Sequence, residues 1–176
     1  MKYKDFLTSI TERGNTPDRM FFNALGIHKE KISKNVIVSP GWNPERVLSM
    51  DDAEEVVSSS PLFGFKIWNI LCSDSVVTYV KTGYGAPMVL DAVLLLGMTE
   101  CENILFLSSI GALSEKIGIG DIIIPEYSVC GDGASRYICN VKGLPDIFGE
   151  KVYPNKDAIK SLASITESCA RKNGVV

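Results

Sequence analysis

The stretch VVTYVKTGYGAPMVLDAVLLLGMTECENILFLS (Val76–Ser108) gives the strongest indication of the fold class. Two apolar runs, 76–81 and 103–108, flank a segment with helical character, 87–98, so the order strand, helix, strand predicts a βαβ unit. We expect its crossover to be right-handed. Because both predicted strands are nearly continuously apolar, we expect a parallel sheet that is covered on both faces. The helix is apolar nearly all round, which predicts that it is deeply buried.

The remaining segments extend this unit to a single α/β domain over residues 1–176. The further predicted strands are 35–39, 65–72 and 120–125, with a start of another in the terminal NGVV. The further predicted helices are 18–25, 46–57 and 156–172. Ser73 and Asp74 are predicted to form the turn between the strand 65–72 and the strand 75–81.

Composition excludes several classes of function. The net charge is −3 and no basic block occurs, so nucleic acid is not an expected partner. The longest apolar run is far shorter than the roughly 20 residues of a membrane helix, and the first residues lack the apolar core of a secretion signal. Five cysteines without a CxxC pair, and His28 as the only histidine, predict free thiols in the cytoplasm and no metal site.

Three predicted strands run into glycine-bearing loops. The strand 35–39 leads to Gly41, the strand 75–81 leads to Gly83 and Gly85, and the strand 103–108 leads to Ser109 and Gly111. Parallel strands end at the same edge of a sheet, where ligands of such sheets bind. Glycine lets backbone N–H groups approach a ligand, and the helix that follows Gly85 suits an anion. We therefore expect a small-molecule site for an anionic or strongly polar group.

Two other interpretations of these glycines stay open. In one of them the glycines only form turns, which would explain the glycines of any single loop. In the other, TGYGAPM is a dinucleotide-binding fingerprint, with Glu102 binding the ribose, but Met88 stands where that motif needs a small residue for close helix–strand packing.

The order and spacing of the motifs resemble the nucleoside phosphorylase family that includes uridine phosphorylase and the hexameric purine nucleoside phosphorylases. The motifs that carry the resemblance are PGWNPER (Pro40–Arg46), GYGAPM (Gly83–Met88), SSIGAL (Ser108–Leu113), IGIGDIIIP (Ile117–Pro125) and GDGASRY (Gly131–Tyr137). The resemblance implies a three-layer α/β fold with a mixed, mostly parallel central sheet flanked by helices. It also implies that the last part of this sheet is missing from the chain.

The same resemblance implies reversible cleavage of the N-glycosidic bond of a nucleoside, with phosphate as co-substrate and no cofactor. The expected partners are a nucleoside, phosphate and further copies of the chain, because the family builds each site from two subunits. The implied phosphate-binding residues are Gly41, Arg46 and Ser109. The implied nucleoside-binding residues are Gly85, Ile110 and Gly111. No residue is assigned to catalysis.

Three positions differ from the family pattern. Phe106 and Ser60 stand where the family has arginines that bind phosphate, and Ala24 stands where a neighbouring subunit supplies a histidine to the ribose. Charge-assisted hydrogen bonds are worth roughly 1.5–3 kcal/mol each, so their loss weakens phosphate binding. These differences favour two alternatives: a nucleosidase that uses water instead of phosphate, or a non-catalytic member that binds a nucleoside or completes a partner.

The chain also ends before the segment that, in the family, carries a ribose-binding Met-Glu pair and an acidic residue near the base. We therefore expect a fragment of a longer protein, a chain that a partner completes, or a fold that has lost its chemistry.

Overall fold

A computed structural model describes residues 3–131, 133 and 148–172. The helices are α1 (Tyr3–Glu12), α2 (Pro17–Leu25), α3 (Ala86–Leu96) and α4 (Lys156–Lys172). The strands are β1 (Asn35–Ser39), β2 (Ala53–Val57), β3 (Lys66–Cys72), β4 (Ser75–Lys81), β5 (Asn103–Phe106), β6 (Ser128–Val129) and β7 (Lys151–Val152). Most of the GDGASRY motif and the predicted strand start in NGVV lie outside the described residues.

A five-stranded sheet in the order β2-β3-β4-β1-β5 organises the described chain. β1 pairs in parallel with β4 on one side and with β5 on the other, whereas β3 is antiparallel to both β2 and β4. Four of the five strands therefore run in one direction, with β3 as the exception. This confirms the predicted α/β class with a mixed, mostly parallel sheet and flanking helices.

The βαβ unit predicted from Val76–Ser108 is present, but its two strands are not neighbours in the sheet. β4, α3 and β5 follow each other along the chain, and β1 lies between the two strands in the sheet. The hairpin of β3 and β4 is also present and pairs Lys66 with Lys81 at one end and Cys72 with Ser75 at the other. Ser73 in its turn has a φ of 55°, the left-handed conformation that such a tight turn requires.

The main core lies between one face of the sheet and the helices α1, α2 and α3. β1 and β4 supply Val36, Val38 and Val80, and the helices cover them with Phe21 and Leu96, among others. α2 is well delimited, because the Thr16 hydroxyl caps its first turn and Gly26 ends it with a φ of 76°. α1 meets α3 where the Tyr3 hydroxyl donates a hydrogen bond to the Leu94 carbonyl, at 3.1 Å.

A smaller core covers the opposite face of the sheet. It consists of Trp68, Ile70 and Tyr79, against which Leu48 and Met50 pack from the segment that follows β1. The ring centroids of Trp68 and Tyr79 lie 6.2 Å apart in an edge-to-face arrangement. This second core matters for function, because it holds the loop after β1 against the sheet.

Two secondary-structure predictions are wrong. The segment 46–57 is not a helix: it follows a short 3₁₀ turn at Pro44–Arg46 and includes the strand β2, which pairs with β3. The β-branched pair Val56 and Val57 and a neighbouring strand outweigh the helical spacing there. The segment 120–125 is not a strand, and it pairs with no strand of the described chain.

Two burial predictions also need correction. Only Ala92, Leu95 and Leu96 of α3 are buried, so this apolar helix is covered along one side and is not deeply buried. All four residues of β5 are exposed, so the described part of the chain does not cover both faces of the sheet at that strand. α4 occupies the predicted range 156–172 but likewise has no buried residue. In the described part of the chain, no helix combines the length and the apolar character that a bilayer crossing needs.

Candidate functional site

The loops that follow β1, β4 and β5 leave the same edge of the sheet. Ser39, the last residue of β1, is paired with Lys81, the last residue of β4. Beyond them, the Thr82 N–H donates to the Ser39 carbonyl at 2.9 Å, and the Leu107 N–H donates to the Val38 carbonyl at 2.9 Å. The shared edge predicted for these glycine-bearing loops is therefore present.

A cavity of about 420 Å³ opens at this edge. Its lining comes from the loop after β1, from the end of β4 and from the loop after β4, namely Gly41, Trp42, Asn43, Glu45, Arg46, Lys81 and Tyr84. The volume lies within the range of about 300–1,000 Å³ that small-molecule sites occupy. The lining is rich in charged and amide groups, which suits a polar ligand.

The backbone of Trp42 anchors the first of these loops at two points. The Trp42 N–H donates to the Ser39 hydroxyl oxygen at 3.3 Å, and the Tyr79 hydroxyl donates to the Trp42 carbonyl at 3.0 Å. Tyr79 is buried, and this burial raises the pKa of its hydroxyl, so the group stays protonated and able to donate. The second core thus fixes the loop that carries Gly41.

A chain of side-chain hydrogen bonds joins three lining residues of the cavity. The Lys81 ammonium donates to the Asn43 Oδ1 atom, and the Asn43 Nδ2 atom donates to the Glu45 carboxylate at 2.9 Å. Arg46 follows within the same 3₁₀ turn, whose backbone is closed by the Arg46 N–H donating to the Asn43 carbonyl at 3.2 Å. Two cations and one carboxylate therefore line the same small space.

Gly41 and Tyr84 bring the two loops into contact. A Cβ atom added at Gly41 would lie 2.9 Å from the Tyr84 ring, which is closer than Cβ atoms approach other heavy atoms in proteins. Glycine is therefore needed at this position for the ring to lie over the backbone. The Tyr84 side chain is 81% exposed, so the ring stands at the mouth of the cavity.

The residues predicted for the site divide into two groups. Gly41 and Arg46 line the cavity. Gly85 is not a lining residue, but it directly follows the lining residue Tyr84, at the start of α3, with a φ of 96°. Ser109, Ile110 and Gly111 lie on the exposed loop after β5, at the same edge of the sheet but outside the cavity lining.

Sequence reasoning did not single out Lys81, Asn43 or Tyr84. Their signal was their position: Lys81 ends a predicted strand directly before a glycine loop, and Asn43 lies between Gly41 and Arg46 in one motif. The pairing of Ser39 with Lys81, which brings the two loops together, joins residues that are far apart in the sequence.

The three positions that differ from the expected family pattern are not among the lining residues of the cavity. Ala24 is 1% exposed and belongs to the main core, and Ser60 is 4% exposed, with its hydroxyl accepting the Phe65 N–H at 2.9 Å. Phe106 is 54% exposed on β5. Among the residues that the structure describes, no cluster of histidine, cysteine, aspartate and glutamate could hold a metal ion.

Solved structures with the same fold were found. A uridine phosphorylase from Vibrio fischeri ES114 is 22% identical over 80% of this chain and 55% of its own, with a TM-score of 0.66. The same enzyme complexed with 6-hydroxy-1-naphthoic acid gives a TM-score of 0.64 over 79% of this chain and 54% of its own, at 22% identity. A purine nucleoside phosphorylase from Toxoplasma gondii in complex with immucillin-H is 15% identical over 85% of this chain and 56% of its own, with a TM-score of 0.64.

The chain thus spans little more than half the length of these structures, and at such identities the likeness establishes the fold alone. No curated protein sequence matches the chain. A family model described as the phosphorylase superfamily matches residues 39–174, which include both loops of the cavity. Since this match covers well over half of the sequence, the chain belongs to the phosphorylase superfamily.

Proposed function

We propose that the protein is a nucleoside phosphorylase-like enzyme, which cleaves the N-glycosidic bond of a purine or pyrimidine nucleoside with phosphate. One observation carries this proposal: Gly41 and Arg46 line one cavity at the edge where the parallel strands end. Membership of the superfamily and the names of the similar structures, a uridine phosphorylase and a purine nucleoside phosphorylase, support it.

The proposed reaction places specific demands on the cavity. A phosphate oxygen attacks the anomeric carbon of the ribose while the bond from that carbon to the base nitrogen breaks. The electron pair of the broken bond leaves with the base, which takes up a proton, and the sugar becomes ribose 1-phosphate. Because positive charge develops on the sugar ring, the protein gains most by holding the phosphate dianion against it.

In this proposal the Gly41 N–H group and the Arg46 guanidinium hold phosphate inside the cavity, and Ser109 adds a further contact from the loop after β5. Gly85, Ile110 and Gly111 border the nucleoside. Phosphate serves as co-substrate and no other cofactor takes part. We also propose a homo-oligomer, although the burial of Ala24 and Ser60 means that neither side chain reaches a neighbouring site without rearrangement.

A phosphate-independent nucleosidase is the second candidate. The observations that favour it are the exposed Phe106, which stands where the family has an arginine, and the position of Ser109 outside the cavity lining. Water as the attacking group needs no anion-binding residues, so these differences would cost such an enzyme little.

The test is to incubate the protein with inosine, uridine and adenosine, with and without phosphate, and to measure free base by chromatography. Base release that requires phosphate is the expected result. Base release without phosphate would establish the nucleosidase instead. Absence of base release together with thermal stabilisation by a nucleoside would establish a binding protein.

A matched pair of variants links the activity to the cavity. We expect Arg46→Ala to raise the KM for phosphate about tenfold or more, because a charge-assisted hydrogen bond to the anion is lost. Arg13→Ala removes the same charge from an exposed position after α1 and should leave the KM unchanged. Equal effects of the two variants would contradict the role of Arg46.

A further inference from the structure

We propose that Lys81 binds the phosphate-class oxyanion in the cavity and so supplies a cation that Phe106 and Ser60 do not. The inference rests on the proposed function for the identity of the anion. The observation that cations line a cavity that fits an oxyanion does not depend on the proposed function. Lys81 belongs to none of the residues that the family resemblance implies for the site.

The position of Lys81 is fixed by the sheet. It is the last residue of β4, it is paired with Ser39 of β1, and it lines the same cavity as Gly41. Its ammonium group has three N–H donors, and one of them is used by the Asn43 Oδ1 atom. Two donors therefore remain for a ligand.

The partner of Lys81 matters as much as its position. Asn43 accepts through a neutral amide oxygen, so it orients the ammonium group without cancelling its charge. Among the described residues of the lining, Glu45 is the only one with a carboxylate, and it accepts from the other end of the same amide. The cavity thus offers an oriented cation that an anionic ligand can still neutralise.

A second observation, the pairing of β3 with β4, also indicates an anion. Lys66 is directly opposite Lys81 in this antiparallel pair, so both side chains lie on the same face of the sheet. Like charges in this arrangement are destabilising unless something offsets them. Across residues 3–131, 133 and 148–172, neither lysine nor Arg46 takes part in an ion pair. A bound oxyanion would offset this local excess of positive charge.

The experiment compares the full chain with Lys81→Met and Lys66→Met. Both substitutions remove one positive charge from the same pair of facing residues, but only Lys81 lines the cavity. Binding of inorganic phosphate is titrated by calorimetry at low ionic strength, and a nucleoside 5′-monophosphate is titrated in parallel. Far-ultraviolet circular dichroism and thermal melting check that each variant is folded.

We expect Lys81→Met to weaken binding of the oxyanion about 10- to 100-fold, the loss of one charge-assisted hydrogen bond. Lys66→Met should weaken it far less, because only a screened, longer-range attraction is lost. Lys81→Arg should retain part of the affinity, since the charge remains. Whichever of the two ligands binds more tightly identifies the anion as free phosphate or as a phosphomonoester.

Glu45→Gln should change the affinity for phosphate in the opposite direction to Lys81→Met. It removes a negative charge beside the anion but keeps an oxygen that can accept from Asn43. We expect phosphate to bind several-fold more tightly to this variant. Weaker or unchanged binding would contradict the proposed charge balance of the cavity.

The inference is overturned if the wild-type chain binds neither ligand, or if Lys81→Met and Lys66→Met weaken binding equally. Its failure can be distinguished from failure of the proposed function. Phosphate-dependent base release with an unchanged KM for phosphate in Lys81→Met would refute the role of Lys81 alone. Binding of an oxyanion that is lost only in Lys81→Met, without any base release, would refute the proposed activity alone.

Discussion

The two halves of the chain contain similar proportions of apolar sequence but bury it very differently. From α1 to the end of α3, helices cover one face of the sheet, and every buried apolar residue of the described chain except Cys130 lies between Ile10 and Met98. From β5 to α4, apolar side chains such as Ile104 and Ile122 remain exposed. β5 nevertheless pairs with β1 over four residues.

This difference shows that strand pairing and side-chain burial contribute separately to the stability of the fold. The backbone hydrogen bonds of β5 need only β1 beside it, whereas its side chains need a second layer that the described residues do not supply. An exposed apolar strand at the edge of a sheet is also a surface on which another chain can pair. The cavity of the candidate site is lined by residues of the first half, which also contains the buried residues of the main core and of the second core.

Substituting one phenylalanine in each half should give the largest difference between the halves, measured as the free energy of unfolding. Phe21 is fully buried in the main core, so Phe21→Ala is expected to lower the free energy of unfolding by about 3–5 kcal/mol. Phe106→Ala, at an exposed position on β5, should change it by about 0.5 kcal/mol or less. Urea denaturation followed by circular dichroism measures both, and similar losses would mean that β5 is covered in solution.

Two tyrosine substitutions compare the loop of the candidate site with the exposed half of the chain. Tyr79→Phe removes the buried hydroxyl that donates to the Trp42 carbonyl, and we expect a loss of about 1–3 kcal/mol together with weaker phosphate binding. Tyr127→Phe, beside Tyr153 in the exposed half, is the control and should cost about 0.5 kcal/mol or less. If Tyr79→Phe left phosphate binding unaffected, the anchoring of the loop after β1 would not matter for the ligand.

The smallest expected effect concerns two cysteines. Burial raises the pKa of the Cys101 thiol, and the neighbouring Glu102 charge acts in the same direction, so less thiolate is present at neutral pH. Cys169 lies exposed on α4. Iodoacetamide should therefore modify Cys169 several-fold faster than Cys101, as measured by mass spectrometry of the peptides. Modification at equal rates would indicate that the region around Cys101 opens readily.

Much of the fold could be predicted because it depends on local sequence. The range of β1 and that of α4 were predicted as observed, and the turn at Ser73 and Asp74 was placed correctly. The prediction failed at 46–57, where helical spacing was present but pairing with β3 made a strand of Ala53–Val57. It also failed at 120–125, where a sequence that suits a strand pairs with no described strand.

The site could be predicted only in part. Gly41 and Arg46 were identified because they share one short motif, PGWNPER, and both line the cavity. Lys81 could not be identified in this way, since its role depends on the pairing of β4 with β1 and on the contact with Asn43. That Ser109 lies outside the cavity lining likewise depends on the position of a whole loop, which no local pattern specifies.

The sequence by itself determined the order β4, α3, β5, the ranges of β1 and α4, and the glycines that follow the parallel strands, because turn chemistry and apolar spacing act over a few neighbouring residues. Only the tertiary structure decided which loops form one cavity and which apolar side chains are buried. Both depend on the strand order β2-β3-β4-β1-β5, which brings Ser39 beside Lys81 and gives β5 only β1 as a neighbour among the described strands.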